Sequence, residues 1–249
     1  MRALALILLA GCGFEVSGAT TAVDASSTSD GTTDAPVDAP PPPPFCPQDP
    51  TLRLCFSFDQ PMLGPALANE GSAAVDAEVT NVARIASPSG GAAQFGPTSS
   101  IWLPMDADVS SILSIEMSFR ADAWPGPDGA RTGLLDSNVS PPNISLFVYE
   151  GAGGQQVRCG LGSQLLSVPA TLAIGAWHQV TCVCDQGTMR ITIDGTNAGE
   201  GTGGCATGGS LVSAGLAIGS DNSGGNTSFP DRLVGAIDGV RLWAKAIAP

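Results

Sequence analysis

One stretch limits what this chain can fold into more than any other: Trp177 to Gly195, WHQVTCVCDQGTMRITIDG. Two runs in it alternate with a period of two. Val180, Cys182 and Cys184 share one face of the first run, with Thr181, Val183 and Asp185 on the other. Met189, Ile191 and Ile193 share one face of the second, with Arg190, Thr192 and Asp194 opposite. Asp185-Gln186-Gly187-Thr188 lies between the runs, and Asp194-Gly195 closes the second. Alternation, β-branched residues and a glycine in the connector predict a β-hairpin.

The same period recurs along the chain. Leu52, Leu54, Phe56 and Phe58 alternate with Arg53, Cys55, Ser57 and Asp59, predicting a first strand. Strands are also predicted at 92–95 and 100–103 around Gly96-Pro97, and at 112–120, 133–137, 144–149 and 156–161. Residues 211–219 and 233–243 predict the last two. Residues 60–90 read as a long connection holding one short strand at 82–86. No apolar series at i, i+3, i+4, i+7 is sustained, so no helix is expected. The class is all-β, a two-sheet antiparallel sandwich.

Several blocks resemble laminin G-like, concanavalin A-like jelly-roll domains. In that family a WHHV strand leads through a DG turn into an LxLYVDG strand; here the second His is Gln179 and the usual Tyr is Met189 or Ile191. The blocks CFSFD (55–59), AAQFGPTSSIWLP (92–104), SIEMSFRADAWP (114–125), LAIGSDNSGG (216–225) and FPDRLVGAIDGVRLWAKAI (229–247) follow in family order. The resemblance covers Leu52 to the end. It implies a jelly roll whose first and last strands are neighbours, tying Leu52–Asp59 to Val234–Trp243. It also implies a structural calcium ion at the sheet rim, at the matching positions Asp59 and Asp238. Such a hard cation wants six to eight oxygens, which two carboxylates alone cannot supply. Jelly rolls of this kind bind glycans on a concave face or in rim loops, so Trp102, Trp124 and Tyr149 are the candidate sugar-stacking residues. Trp177 and Trp243 fall at family core positions.

The N-terminus supplies an address. Met1-Arg2 precedes the apolar run Ala3–Leu9, and Leu9-Ala10-Gly11-Cys12 looks like a bacterial lipobox. The run is too short to span a bilayer, which takes about 20 residues. The expectation is a lipoprotein signal peptide over 1–11, with acylated Cys12 anchored in a lipid bilayer of the bacterial envelope, at the outer membrane or cell surface. Residues 12–45 read as a disordered Ser/Thr/Pro-rich linker whose only aromatic before Phe45 is Phe14. The domain runs over 46–249.

With Cys12 assigned to lipid, Cys46, Cys55, Cys159, Cys182, Cys184 and Cys205 remain. An even number in an exported chain reads as three disulfides. Cys46 and Cys55 are close in sequence and are paired. Cys182 and Cys184 project from the same face of one strand, with Cα atoms about 6–7 Å apart, a poor geometry for bonding each other. Cys159–Cys182 with Cys184–Cys205 is the preferred set, and the swapped set the alternative. A zinc site is disfavoured, because Cys-x-Cys on a flat strand does not turn two thiolates onto one ion.

Charge and the acid–base inventory narrow the function. The formal net charge is −13, with 23 acids against 10 bases and no basic cluster. Sequence-independent binding to nucleic acid or to an anionic polysaccharide would meet a repelling field. His178 is the only histidine and lies in the WHQV strand, where the family equivalent is structural. No E-x-D-x-x-E strand places paired carboxylates for glycoside hydrolysis, and Glu116 stands alone among Ser and apolar residues. The expected function is a non-catalytic extracytoplasmic binding module for a glycan or an extracellular protein. A structural envelope protein without a specific ligand is the alternative, and a polysaccharide-active enzyme the third reading.

Overall fold

The computed structural model describes residues 44–61, 64–126, 130–137, 143–151, 153–222 and 230–248. The signal and Cys12 readings, and the linker reading up to residue 43, lie outside these residues. Every regular element among them is a β-strand: β1 (Leu52–Phe56), β2 (Ala66–Leu67), β3 (Ala77–Thr80), β4 (Ala83–Ser87), β5 (Gly90–Phe95), β6 (Ser100–Leu103), β7 (Ser114–Ala123) and β8 (Arg131–Asp136) in the first half. The second half adds β9 (Asn143–Tyr149), β10 (Gln155–Gly162), β11 (Gln164–Ala170), β12 (Trp177–Asp185), β13 (Thr188–Ile193), β14 (Thr196–Thr202), β15 (Leu216–Ile218) and β16 (Val234–Trp243).

They form two antiparallel sheets. The first runs β14-β13-β12-β7-β16-β5-β4, with β1 also paired to β16. The second runs β11-β10-β9-β8-β15-β6-β3-β2. The first and last strands are therefore neighbours, as the resemblance implied, with Leu54 opposite Leu242 and Phe56 opposite Val240.

The central hairpin shows why the alternation is strict. Val180, Cys182 and Cys184 face Ile193, Ile191 and Met189 across the β12–β13 ladder, and Val180, Cys182, Cys184, Met189 and Ile191 are all buried in the core between the sheets. The connector is tighter than the sequence suggested. Gln186 and Gly187 alone make it, at φ 48° and 82°, and Asp194-Gly195 makes the next turn at 49° and 75°. Positive φ at both central residues suits the right-handed twist of the flanking strands.

Three disulfides close the domain: Cys46–Cys55, Cys159–Cys182 and Cys184–Cys205. Cys159 stands on β10 and Cys182 on β12, so the second bond crosses the core from sheet to sheet.

Part of the outer face of the first sheet is covered by the residues that flank β1 and β16. Ser114 Oγ donates to the Lys245 carbonyl at 2.8 Å and accepts the Ile247 N–H at 3.2 Å. The Arg241 guanidinium lies 4.2 Å from the Phe45 ring centroid. Gly239, at φ 71°, is the extra residue of a bulge in β16, and a Cβ there would sit 2.2 Å from the Phe45 ring. The outer face of the second sheet carries the site described next.

Candidate ligand-binding site

Alternation decides which side chains of β8 to β11 point outward. Ile144, Leu146 and Val148 of β9 enter the core. Asn143, Ser145, Phe147 and Tyr149 therefore share the opposite face. Register then lays out the rows. Gly160 of β10 stands opposite Ser145, and Arg158 opposite Phe147. Leu165 of β11 stands beside Gly160, and Ser167 beside Arg158. On the other side, Asp136 faces Ser145 and Arg131 faces Tyr149.

These residues line a cleft of about 180 Å³, bounded by Arg131, Asp136, Asn143, Ser145, Phe147, Tyr149, Arg158, Leu165 and Asp221. A larger hollow of about 580 Å³ lies at the β12–β13 turn and the C-terminal tail. It is lined by Val183, Thr188, Arg190 and Ile247 among others, and Arg190 there is already paired to Glu200 at 3.2 Å.

The two arginines of the smaller cleft differ in how they are satisfied. Arg131 pairs with Asp221 and, at 2.5 Å, with Asp231, which stand on the two sides of the loop stem beside β8. Its guanidinium lies 4.9 Å from the Phe147 ring centroid. Burial works against its charge, but hydrogen bonds to Tyr149 and Asp231 and the charges of Asp221 and Asp231 outweigh that and raise its pKa above the ordinary value. Arg158 lies over Tyr149 at 4.1 Å. It donates from Nη1 to Tyr149 OH at 3.0 Å and from Nε to Ser167 Oγ at 2.9 Å. Both aromatic rings thus carry a guanidinium.

Buried polar groups complete the cleft. Asp136 is 3% exposed, and its Oδ2 accepts the Asn222 N–H at 2.9 Å. Asn143 is 7% exposed, and its Oδ1 has no hydrogen-bond donor. A Cβ on Gly160 would fall 2.4 Å from Ser145 Oγ and 2.9 Å from Asn143 Oδ1.

Of the three aromatics singled out from the sequence, Tyr149 lines the cleft. Trp102 lies on β6 of the same sheet, with β15 between it and β8; its ring closes over Gly215, and its indole N–H is buried without an acceptor. Trp124 was expected at an open rim. It packs instead edge-on against Phe119 with centroids 6.4 Å apart, and its N–H donates to the Leu172 carbonyl at 3.3 Å. Trp124 thus lies away from the cleft, partly buried against the core. Phe147 and Arg158 were missed; each reads as one residue of an alternating strand.

Asp59 and Asp238 converge on one turn, the β4–β5 connection. Asp59 Oδ1 accepts the Gly91 N–H at 2.8 Å. Asp238 Oδ2 accepts the hydroxyls of Ser87, at 2.7 Å, and Ser89. Arg84 adds a positive charge there, donating to the Phe58 carbonyl at 2.8 Å. As placed, the pair does not fit a calcium site: the carboxylates serve N–H and O–H donors, and among the described residues no three His, Cys, Asp or Glu side chains come together.

The remaining acid–base candidates are engaged elsewhere. His178 Nδ1 lies 2.8 Å from Asp194 Oδ2, and its Nε2 accepts the Ala173 N–H at 3.0 Å. The second contact fixes the proton on Nδ1. Glu116, on the outer face of the first sheet, accepts the Trp243 indole N–H at 2.8 Å and lies 3.4 Å from Arg241.

A model of the concanavalin A-like lectin/glucanases superfamily matches residues 95–249. No curated protein matches the chain. Among solved structures, domain 4 of an extracellular arabinanase from Geobacillus stearothermophilus, in complex with arabinotriose, is 18% identical at a TM-score of 0.56, covering 80% of this chain and 95% of that one. The Trypanosoma rangeli sialidase in complex with sialic acid is 16% identical at a TM-score of 0.56. The match covers 80% of this chain but 31% of the sialidase, so the chain spans about a third of that enzyme. At these identities the likeness is one of fold.

Proposed function

The chain belongs to the concanavalin A-like lectin/glucanase superfamily, and we propose that it works as a non-catalytic carbohydrate-binding module through the cleft on β8 to β11. The observation that carries this reading is the cleft itself, lined by Asn143, Ser145, Phe147, Tyr149, Arg158 and Leu165 among others. Polar groups placed in a small pocket fix the orientation of a ligand, and the arginines add planar donors. The arabinanase domain crystallised with arabinotriose lends the reading support, since that protein shares the fold.

Binding is favoured over catalysis by how the acids are used. Hydrolysis of a glycosidic bond needs two carboxyl groups facing one bond, one of them able to donate a proton. In this cleft Asp221 is held by Arg131, and Asp136 is buried and accepts the Asn222 N–H. The proposal includes the address read from Leu9-Ala10-Gly11-Cys12, an envelope lipoprotein; palmitate labelling of the protein that disappears in Cys12→Ala supports it.

A glycan array probed with the full chain tests the reading. Binding to at least one oligosaccharide class is expected, and Tyr149→Ala and Gly160→Val should weaken it at least tenfold, about 1.4 kcal/mol. An array without hits, or hits indifferent to both substitutions, would sink it.

A further inference from the structure

We infer that the cleft selects a short sugar bearing a carboxylate, with Arg158 taking the carboxylate and the side-chain oxygen of Asn143 taking a sugar hydroxyl. This rests on the carbohydrate-binding reading above and names its ligand class.

Arg158 carries the charge argument. Four of the eight described arginines stand beside an acid: Arg120 at Asp122, Arg131 at Asp221 and Asp231, Arg190 at Glu200, Arg241 at Glu116. Arg158 has no carboxylate within ion-pair distance among the described residues, in a chain of net charge −13. Its contacts are neutral: Ser167 Oγ, Tyr149 OH and the Tyr149 ring. Two of its roughly five N–H donors are used, leaving the outer edge of the fork open. The stack on Tyr149 holds that fork in place, and a planar fork matches a carboxylate through two parallel hydrogen bonds.

Asn143 carries the second, independent argument. Its Oδ1 is buried and without a donor. A buried acceptor left unmet costs about 1–3 kcal/mol, so such groups call for a partner. The missing partner is a donor, which a sugar hydroxyl supplies. A Cβ on Gly160 would meet Ser145 Oγ, Leu165 Cδ2 and Asn143 Oδ1 within 3 Å, so only glycine lets these three cleft side chains come together over β10. Its φ is not in the left-handed region, so space rather than backbone conformation is what glycine provides at this position.

Spacing joins the two. Arg158 and Gly160 lie two residues apart on one face of β10, about 7 Å. That separation suits one pyranose ring presenting a carboxylate at one end and a hydroxyl at the other. The cleft volume is about 180 Å³. An extended peptide would need a free sheet edge, and β9 and β10 are paired on both sides. The chain's overall negative field disfavours long polyanions, which confines the ligand to short or terminal acidic sugars.

Titration calorimetry on the full chain tests this with matched pairs: di- and trisaccharides of glucuronic or galacturonic acid, and the same compounds with each carboxyl reduced to a primary alcohol. The acidic member of one pair is expected to bind at least tenfold more tightly. Arg158→Gln should erase that preference, bringing the acidic member's affinity to that of its neutral counterpart, with an unchanged circular dichroism spectrum showing that the variant folds. Asn143→Leu should weaken both members alike. Equal binding of the two members, or a preference that survives Arg158→Gln, overturns the inference and leaves the binding reading standing. If no member binds while neutral glycans on the array do, the inference again falls alone. If nothing binds in either experiment, both fall.

Discussion

His178 shows how a residue with catalytic potential is spent on structure. It is 8% exposed, gives Nδ1–H to Asp194 and receives Ala173 N–H at Nε2, while Asp194 Oδ1 also accepts the Gln179 N–H at 2.8 Å. The imidazole therefore ties the 171–176 connection to the tight turn after β13. Replacing it with Ala removes both hydrogen bonds, each worth about 0.5–1.5 kcal/mol net, so His178→Ala should lower stability by about 1–3 kcal/mol in a urea titration while leaving ligand affinity unchanged. Gly160 is the opposite case, a residue that matters because neighbouring side chains fill the place its own would take. Gly160→Ala would bring a methyl to 2.8 Å from Leu165 Cδ2 as well as against Ser145 and Asn143. The leucine end can turn away, since Leu165 is 56% exposed. The expected outcome is a loss of affinity several times larger than any loss of stability, read by calorimetry beside thermal melting.

Elements differ in how far their own residues announce them. The β12–β13 hairpin is legible because both runs are half-buried and every inward position is apolar. β11 and β14 are not, because each lies at a sheet edge with one partner strand. QLLSVPA contains a proline, tolerated at an edge, and TNAGEGT holds no large apolar side chain. The outward rows that build the cleft were equally hidden: what joins Asn143, Arg158 and Gly160 is register between strands, which no single strand's period encodes. Cysteine spacing was more telling: two same-face thiols on β12 need different partners, and these are Cys159 on β10 and Cys205 in the turn after β14. Cys159–Cys182 closes a loop with sequence separation 23, for which chain entropy alone predicts about 3 kcal/mol. The Cys159→Ala, Cys182→Ala double variant should unfold at correspondingly lower denaturant concentration. At the chain's ends, Lys245 Nζ meets Asp49 at 2.6 Å. Its hydrogen bond, with help from Thr51, lowers the Asp49 pKa from 3.8 to about 2. A lowered carboxyl pKa stabilises above the ordinary value and is lost as pH falls through the folded one. Amide shifts of residues 246–248 should therefore titrate with a midpoint near pH 2, and the step should vanish in Asp49→Asn.

The whole molecule divides its two faces between closure and contact. Residues 45–49 and 244–248 lie against part of the first sheet's outer face, whereas the second sheet's outer face holds the cleft. Charge follows a similar division of scale: the chain is strongly acidic, with a sequence pI of about 4.1, yet Arg158 keeps a local positive group. Solubility should be lowest near pH 4 and recover on either side, measured by turbidity across a pH series.

The pairing of β1 with β16 has a practical corollary. Phe45 and Lys245 both sit on the sandwich wall remote from Gly160. A surface plasmon chip, a bead or a fluorescent fusion partner can thus be attached at either terminus of the folded unit without crowding the recognition wall. Joining the two termini by a short peptide and reopening the ring at an exposed hairpin tip, such as Pro88-Ser89, should yield a permuted molecule with its selectivity intact.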